Sequence, residues 1–376
     1  GIYTRYPSKI MMQTGYCGEI ALKDSKLKKT KCYVTRKGLN PVDGTVVIAE
    51  VDSYETERHE LVLKAHIVKE IGYKDAVGMD ILMILHQLKI PTVFPDSVIE
   101  EASRVSDVIS PEEIEGRVDL RQELTVTIDG ADAKDLDDAV ALVKREDGTF
   151  VLTVSIADVS YYVTENSEID KEAFERGTSV YLTDRVPMLP QRLSNGICSL
   201  HPYEERLTLT ARMEIDRSGT IYQHEIFPSV IQSNERLTYD EVNVLFNTNE
   251  ASEKIPPEIE EMLWNMKELH TILERRRMER GAIDFDTQEA KILVDEKGAP
   301  TGIVLRERGV AERLIESFML AANETVARHY EQLKVPFIYR IHENPDSEKL
   351  QRFLEFITAF GITIKGKNDS IAKSLE

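Results

Sequence analysis

The sequence predicts an α+β protein: a small OB-type β-barrel over about residues 1–72, a helical linker over 73–117, and a larger α+β domain over 118–376. Three observations carry this. Short segments rich in β-branched residues, separated by Gly, Asn, Asp and Lys, fill the N-terminal part. From about residue 118 strand-like segments come first and long apolar-periodic helices later, the order of an α+β domain. A length of 376 residues predicts two or three domains.

In the N-terminal part the strand segments include Lys31-Cys32-Tyr33-Val34, Gly44-Thr45-Val46-Val47-Ile48-Ala49 and Glu60-Leu61-Val62-Leu63-Lys64-Ala65. Short strands with basic loops suit a barrel that binds single strands. Val77 to Leu88 reads as an amphipathic helix, and Pro91 and Pro95 break the chain after it. Further strands are expected at Leu124–Asp129, Ala139–Lys144, Phe150–Ala157, Leu207–Ile215, Thr220–Ile231 and Ile303–Arg306. Pro256-Pro257 starts a helix whose core stripe is Ile259, Met262, Leu263, Met266, Leu269, Ile272 and Leu273, with Gly281 as its stop. Ala311–Tyr330 and Ser347–Phe360, ended by Gly361, are two more.

Composition narrows the class. Hydrophobic residues make up 41% and charged residues 30%, a globular balance that excludes wholesale disorder. No apolar run approaches the roughly 18–20 residues of a membrane helix. Three distant cysteines, Cys17, Cys32 and Cys198, exclude a disulfide framework and predict a reducing, cytoplasmic setting. The chain opens on Gly1-Ile2, so a fragment of a longer protein is expected. Net charge is −19, yet residues 1–40 hold nine basic side chains against two acidic ones, +7 in that stretch and −26 in the remainder. A basic block ahead of an acidic body predicts one module that holds a polyanion and another with a different task.

One segment carries chemistry. Asp129, Asp132, Asp135, Asp137 and Asp138 fall within ten residues, between two apolar strands. Strands deplete Asp, so the cluster belongs to the connection between them. Carboxylates this dense raise one another's pKa. A hard cation relieves this, and Mg²⁺ takes oxygen ligands while keeping room for water and phosphate. A pair of ions about 4 Å apart would serve phosphodiester cleavage. An acidic solvated turn competes, but Leu136 interrupts the cluster and apolar strands flank it. An EF-hand loop fails, because counting from Asp129 puts Ala131 and Ala133 at the third and fifth places, and counting from Asp135 puts Ala139 at the fifth. The spacing leaves nuclease, phosphatase and nucleotidyl transferase open.

Asp119-Leu120-Arg121, followed by Thr127-Ile128-Asp129-Gly130 and Asp135-Leu136-Asp137-Asp138-Ala139, resembles the signature of the RNase II/RNase R family, whose catalytic domain is called RNB. The likeness continues through Ile156–Val163, which resembles the family's next strand, Arg176–Leu182, Val186–Pro190, Leu193–Leu200, Glu316–Asn323 and Tyr339–His342, and is nearest to the bacterial RNase R branch. The resemblance implies an RNB domain, incomplete at its C-terminus, behind a cold-shock-like barrel. It also implies a processive 3′-to-5′ hydrolytic exoribonuclease that releases nucleoside 5′-monophosphates with Mg²⁺, as one or two ions and with Mn²⁺ as a substitute.

Asp129, Asp135, Asp137 and Asp138 match the family's catalytic and metal positions. Asp129 and Asp138 are expected to hold one ion and the scissile phosphate, and Asp135 and Asp137 to complete a second site and orient water. Asp132 falls outside the set, as a solvated loop residue. Tyr181 matches the aromatic stacked on the 3′-terminal nucleotide, and Phe285 a second that clamps bases. Stacking tolerates any base, which suits an enzyme that advances through any sequence. Arg340, His342 and Arg212 take no catalytic role, and nothing near Cys198 predicts a thiolate nucleophile.

The expected partner is the 3′ end of single-stranded RNA, with no membrane, and the expected state a monomer. The family's later Thr-Ser-Pro-Ile-Arg-Arg-Tyr block, with its phosphate-binding arginine, is not in the sequence, nor is a C-terminal OB domain. The chain alone is therefore expected to be weakly active or inactive. Two other readings stand beside this one. A non-catalytic RNA-holding relative would typically lose the aspartates. A small-phosphoester hydrolase would have no use for the basic module and the stacking aromatics.

Overall fold

The computed structural model describes residues 1–361 apart from 28–29, 58–59, 183–184, 251–252, 283–288, 296–298, 307, 342 and 344–345. Phe285 and His342 therefore lie outside the described residues. The chain divides into two compact units. One is Gly1–Asp96 with Glu172–Met188 and Ala290–Leu305; the other is Ser97–Lys171 with Leu189–Glu289 and the chain from Arg306.

The first unit is built on a closed barrel. Its strands are β1 (Ile2–Arg5), β2 (Gly18–Ala21), β3 (Lys31–Gly38), β4 (Thr45–Glu57) and β5 (Glu60–Tyr73), with helix α1 (Ser8–Thr14) between the first two. The barrel order is β1-β2-β3-β5-β4, closed where Ile2 pairs with Val46. Alternation points Tyr3, Ile20, Cys32, Val34, Val47, Leu63, Ala65 and Ile67 inward. Closure demands glycine at 18, where a Cβ would lie 2.2 Å from the Thr4 carbonyl oxygen and 2.5 Å from the Tyr3 ring. β4 and β5 run well past the expected segments, as a long antiparallel ribbon from Thr45↔Tyr73 to Glu57↔Glu60. Helices α2 (Met79–Gln87), α3 (Asp96–Ser103) and α4 (Pro111–Ile114) follow the barrel. Ser110 and Glu113 form a capping box that starts the last of these.

The second unit centres on a seven-stranded sheet. It takes in β6 (Val118–Asp119), β7 (Val126–Asp129), β8 (Asp138–Lys144) and β9 (Phe150–Ala157), followed by α5 (Val159–Tyr162) and α6 (Glu168–Arg176). A two-stranded hairpin, β10 (Val180–Tyr181) and β11 (Arg185–Val186), belongs to the first unit. The sheet resumes with β12 (Glu205–Ile215), β13 (Ile221–Gln232) and β14 (Glu235–Thr238). Helices α7 (Tyr239–Thr248) and α8 (Pro257–Glu279) come next; a two-stranded hairpin, β15 (Glu289–Val294) and β16 (Pro300–Arg306), then falls almost wholly in the first unit, and α9 (Val310–Leu333) and α10 (Ser347–Thr358) complete the second. The sheet order is β14-β7-β8-β9-β12-β13-β6. Its interior pairs are antiparallel, and both edge strands, β14 on β7 and β6 on β13, pair in parallel.

One sheet face sends Val126, Ile128, Val140, Leu142, Leu152, Val154 and Met213 into a core with α7, α8 and α9. The α8 stripe buries as expected at Ile259, Met262, Leu263, Met266 and Leu269, while Ile272 and Leu273 are partly buried. A smaller cluster, Leu120, Leu136, Ala139, Ala157, Leu200 and Ile231, anchors the aspartate connection. The α+β class and the barrel are thus as the sequence predicts. One block differs: strand β9 stops at Ala157, and Val159–Tyr162 turns into a helix instead of extending it. Asp158 explains the stop. Its buried carboxylate takes Arg117 Nη2 at 2.7 Å and the Ser160 hydroxyl at 2.9 Å, bonds that a continuing strand would not offer. Among the described residues no helix is long and apolar enough to cross a membrane.

Candidate active site

The connection from β7 to β8 crosses between two neighbouring strands at one end of the sheet. Asp129 closes β7, opposite Thr238 of β14, and Asp138 opens β8, opposite Ile156. Strand ends place these two carboxylates on rigid backbone. The intervening loop turns at Gly130, whose carbonyl accepts from Ala133 N at 3.0 Å. Leu136 then plunges into the small core, fully buried. With Leu136 inward, Asp135 and Asp137 on either side are pushed toward solvent, half-buried and exposed respectively. Leu136 is thus the anchor that presents the aspartates. Asp132 is exposed.

Distant residues hold the loop. The Ser199 hydroxyl accepts from Leu136 N at 3.0 Å and donates to the Lys134 carbonyl at 3.0 Å. Leu200 N donates to the Leu136 carbonyl at 2.9 Å, and Ala157 N to the Asp137 carbonyl at 3.0 Å. Arg236 of β14 reaches across, its Nη2 donating to the carbonyls of Ala131 at 3.1 Å and Ala133 at 2.7 Å. Ser199 and Arg236 were not legible as site residues. Ser199 lies inside the matched block Leu193–Leu200, which was the one available signal for it.

The electrostatics are those of crowded carboxylates. Asp129 is pushed up to about 7, by burial first, then by Asp138 and Asp137, with Arg236 opposing. Asp138 is pushed up to about 6 by burial and by Asp137. Asp129 Oδ2 is buried and has no hydrogen-bond partner. A buried carboxylate oxygen left bare costs free energy unless something completes it. Among the described residues no three His, Cys, Asp or Glu side chains close into a metal cage. Mg²⁺ does not need one, since one or two carboxylates suffice when water and phosphate fill the shell. The bare oxygen, the raised pKa values of Asp129 and Asp138 and the all-oxygen donor set fit such an ion.

Tyr181 sits on the β10–β11 hairpin in the first unit, opposite Arg185, and is 66% exposed. Arg176, at the end of α6, fixes that hairpin. Its guanidinium donates to the carbonyls of Pro187 and Pro91, each at 3.1 Å, and of Val93 at 2.9 Å. It also pairs with Glu172 and lies 3.7 Å from the centre of the Phe94 ring. Arg340 is exposed. Arg212 lies on the sheet, paired with Glu123 and over Phe227. All three cysteines are buried free thiols, and Cys198 is pushed up to about 12 by burial and by Asp137, which keeps it protonated and inert.

Residues 117–376 match the RNB domain family, and residues 20–95 the Cold shock domain family. The chain belongs to the RNB family. It is 49% identical over 360 residues to Ribonuclease R 1 of Lactococcus lactis, covering 96% of this chain and 44% of that protein. It is 44% identical over 323 residues to Ribonuclease R of Thermotoga maritima, covering 85% and 45%. The chain spans about half the length of the curated relatives it matches. Among solved structures, Mycoplasma genitalium RNase R in complex with double-stranded RNA superposes with a TM-score of 0.87 at 32% identity, over 93% of this chain and 63% of that one. Yeast Ssd1, a pseudonuclease, shares the fold with a TM-score of 0.69 at 18% identity, over 98% and 45%. The RNB match begins within two residues of β6, so the whole aspartate connection and its supports lie inside the family's domain.

Proposed function

We propose that this chain is the metal-binding, 3′-end-handling part of a processive 3′-to-5′ hydrolytic exoribonuclease that releases nucleoside 5′-monophosphates. The observation that carries the reading is the buried, unpartnered Oδ2 of Asp129 beside Asp137 and Asp138, in a chain of the RNB family. Asp129 and Asp138 would hold Mg²⁺, with Mn²⁺ as a substitute, and Asp135 and Asp137 would complete a second position. When bound, the metal stabilises negative charge on the attacking and departing oxygens of the phosphodiester.

The chain's own residues do the rest. Asp129 and Asp138 keep fixed positions because they end strands. Asp137, exposed and raising its neighbours' pKa, is the carboxylate best placed to accept a proton from an attacking water. Ser199 and Leu136 hold the loop against the pull of a charged ligand. Tyr181, exposed on a braced hairpin, offers a face to the terminal base. On the barrel, Tyr16 and Tyr33 stack at 5.0 Å between ring centres, a second platform for bases. The partner is single-stranded RNA, and the buried thiols fit a reducing cytoplasm.

The test is product analysis. The protein in its full length, given Mg²⁺ and 5′-labelled single-stranded RNA, should shorten the label progressively to a small oligonucleotide and release 5′-monophosphates, and EDTA should stop it. Internal cuts, or cleavage indifferent to EDTA, would contradict the reading.

A further inference from the structure

At the C-terminal end of α8 the β12–β13 turn, α8 and α9 enclose an open cleft of about 120 Å³, lined by Arg276, Arg277, Arg280 and Arg328 with Thr220 and Glu324. Four guanidiniums around one carboxylate stand out in a chain whose residues 41–376 carry −26. Two of the four are committed. Arg280 donates to Glu324 at 3.1 and 3.3 Å, and Arg277 to Glu316 at 3.1 Å. Two are not. Arg276 bonds only the Thr220 hydroxyl, at 2.6 Å, and Arg328 makes no hydrogen bond or ion pair among the described residues. Beneath the cleft, His270 is buried against the Ser317 hydroxyl at 2.9 Å; burial holds its pKa down, with Glu274 opposing and Arg313 and Arg277 adding to the fall. The Nε of Arg313 is buried without a partner. Positive charge is therefore gathered here beyond what Glu324 and Glu316 bond.

Register separates this cleft from the aspartates. Asp138 pairs with Ile156, which pairs with Leu209; Lys144 pairs with Phe150, which pairs with Ile215. The turn at Gly219 follows Ile215, so the cleft lies at the opposite end of the sheet from Asp138. Six residues of strand at about 3.3 Å each put the two roughly 20 Å apart.

We propose that the cleft formed by Arg276, Arg277, Arg280 and Arg328 is a second anion site, which binds adjacent phosphate groups independently of the aspartate centre. Guanidinium forks match phosphate oxygens two at a time, and Arg276 and Arg328 have donors to give. Such phosphates come from an RNA backbone or from a soluble nucleotide.

Calorimetric titration of the full chain with inorganic pyrophosphate, in metal-free buffer containing EDTA, tests it. One site is expected. Arg276→Gln with Arg328→Gln should weaken it about tenfold or more, the Arg328→Lys protein should keep most of the affinity, and Asp129→Asn should leave it unchanged. Arg328→Gln removes no bond from the fold, so its loss of affinity cannot be laid to unfolding. No binding of pyrophosphate, equal binding by the double variant, or loss of binding in Asp129→Asn would each overturn the proposal. Displacement of a labelled single-stranded RNA by pyrophosphate would identify the source as RNA backbone, and undisturbed RNA binding would identify it as a soluble nucleotide. A chain that binds pyrophosphate but no RNA would sink the proposed function and leave this site standing.

Discussion

The Ser199 hydroxyl sits inside the aspartate loop as a double clasp on Leu136, taking its N–H at 3.0 Å while giving its own proton to the Lys134 carbonyl. Ser199 and Leu136 are both fully buried, so the Leu136 N–H has no water to fall back on. Ser199→Ala should cost about 1–3 kcal/mol by denaturant unfolding, the range for leaving a buried polar group unsatisfied. It should also weaken Mn²⁺ binding, because Asp135 and Asp137 lose their anchor. Unchanged metal affinity would mean that Leu136 burial alone shapes the loop.

Asp129 is a burden in the metal-free protein. Its carboxyl is pushed up to about 7, and that of Asp138 to about 6, both above the unfolded value. For a raised acid the folded state is favoured while the group stays protonated. That stability is present below about pH 4 and lost as pH climbs through 6 to 7. Asp129→Asn should therefore stabilise the metal-free chain at pH 8 by about 1–2 kcal/mol, discounted from the full shift because the side chain is only partly buried. The gain should vanish near pH 4. Melting curves of both proteins in EDTA across that range decide it, and a gain independent of pH would contradict the electrostatic cause.

Metal and protons compete for the same oxygens. Binding of Mn²⁺ should tighten steeply between pH 5 and 8 and release protons into weakly buffered solution at pH 6. A flat pH profile would place the ion on carboxylates with ordinary pKa values, away from Asp129 and Asp138.

Arg236 is both loop brace and local countercharge, with its Nε buried and unpartnered. Arg236→Met should lose about 1.5–3 kcal/mol of stability, since hydrogen bonds from a charged donor are worth that much. It should also raise the Asp129 pKa further, which shifts the pH midpoint of Mn²⁺ binding upward. A fall in stability with no shift in that midpoint would reduce Arg236 to a brace.

Tyr181 is exposed, so Tyr181→Ala should leave the melting temperature within about 1 °C of the parent, as surface changes usually do. In the full-length protein it should lengthen the final oligonucleotide and raise KM. An unchanged end product would remove Tyr181 from the path of the RNA.

Legibility followed locality. The α8 stripe and the strands around the aspartates were readable because their periodicity is written in consecutive residues. The aspartate cluster was readable because so much charge between two apolar strands contradicts strand chemistry. The parallel edge strand β14 was missed, since four residues carry no usable period, and Arg236 was missed with it. Ser199 and Leu136 meet across 63 positions, so their bond has no local trace. His270 hid inside the apolar stripe, where its partner Ser317 is supplied by another helix. The β15–β16 hairpin was only half seen: Ile303–Arg306 was expected as a strand and Glu289–Val294 was not.

The most direct test of the account places binding and cleavage in one experiment. The full-length protein and its Asp137→Asn variant would be compared on the same labelled single-stranded RNA, with a filter-binding assay and a denaturing gel read from the same Mg²⁺ samples. The account predicts equal RNA binding and a collapse of the ladder in the parent alone. Equal digestion by both proteins, or no digestion by either, would mean that the aspartate cluster is not the seat of the chemistry.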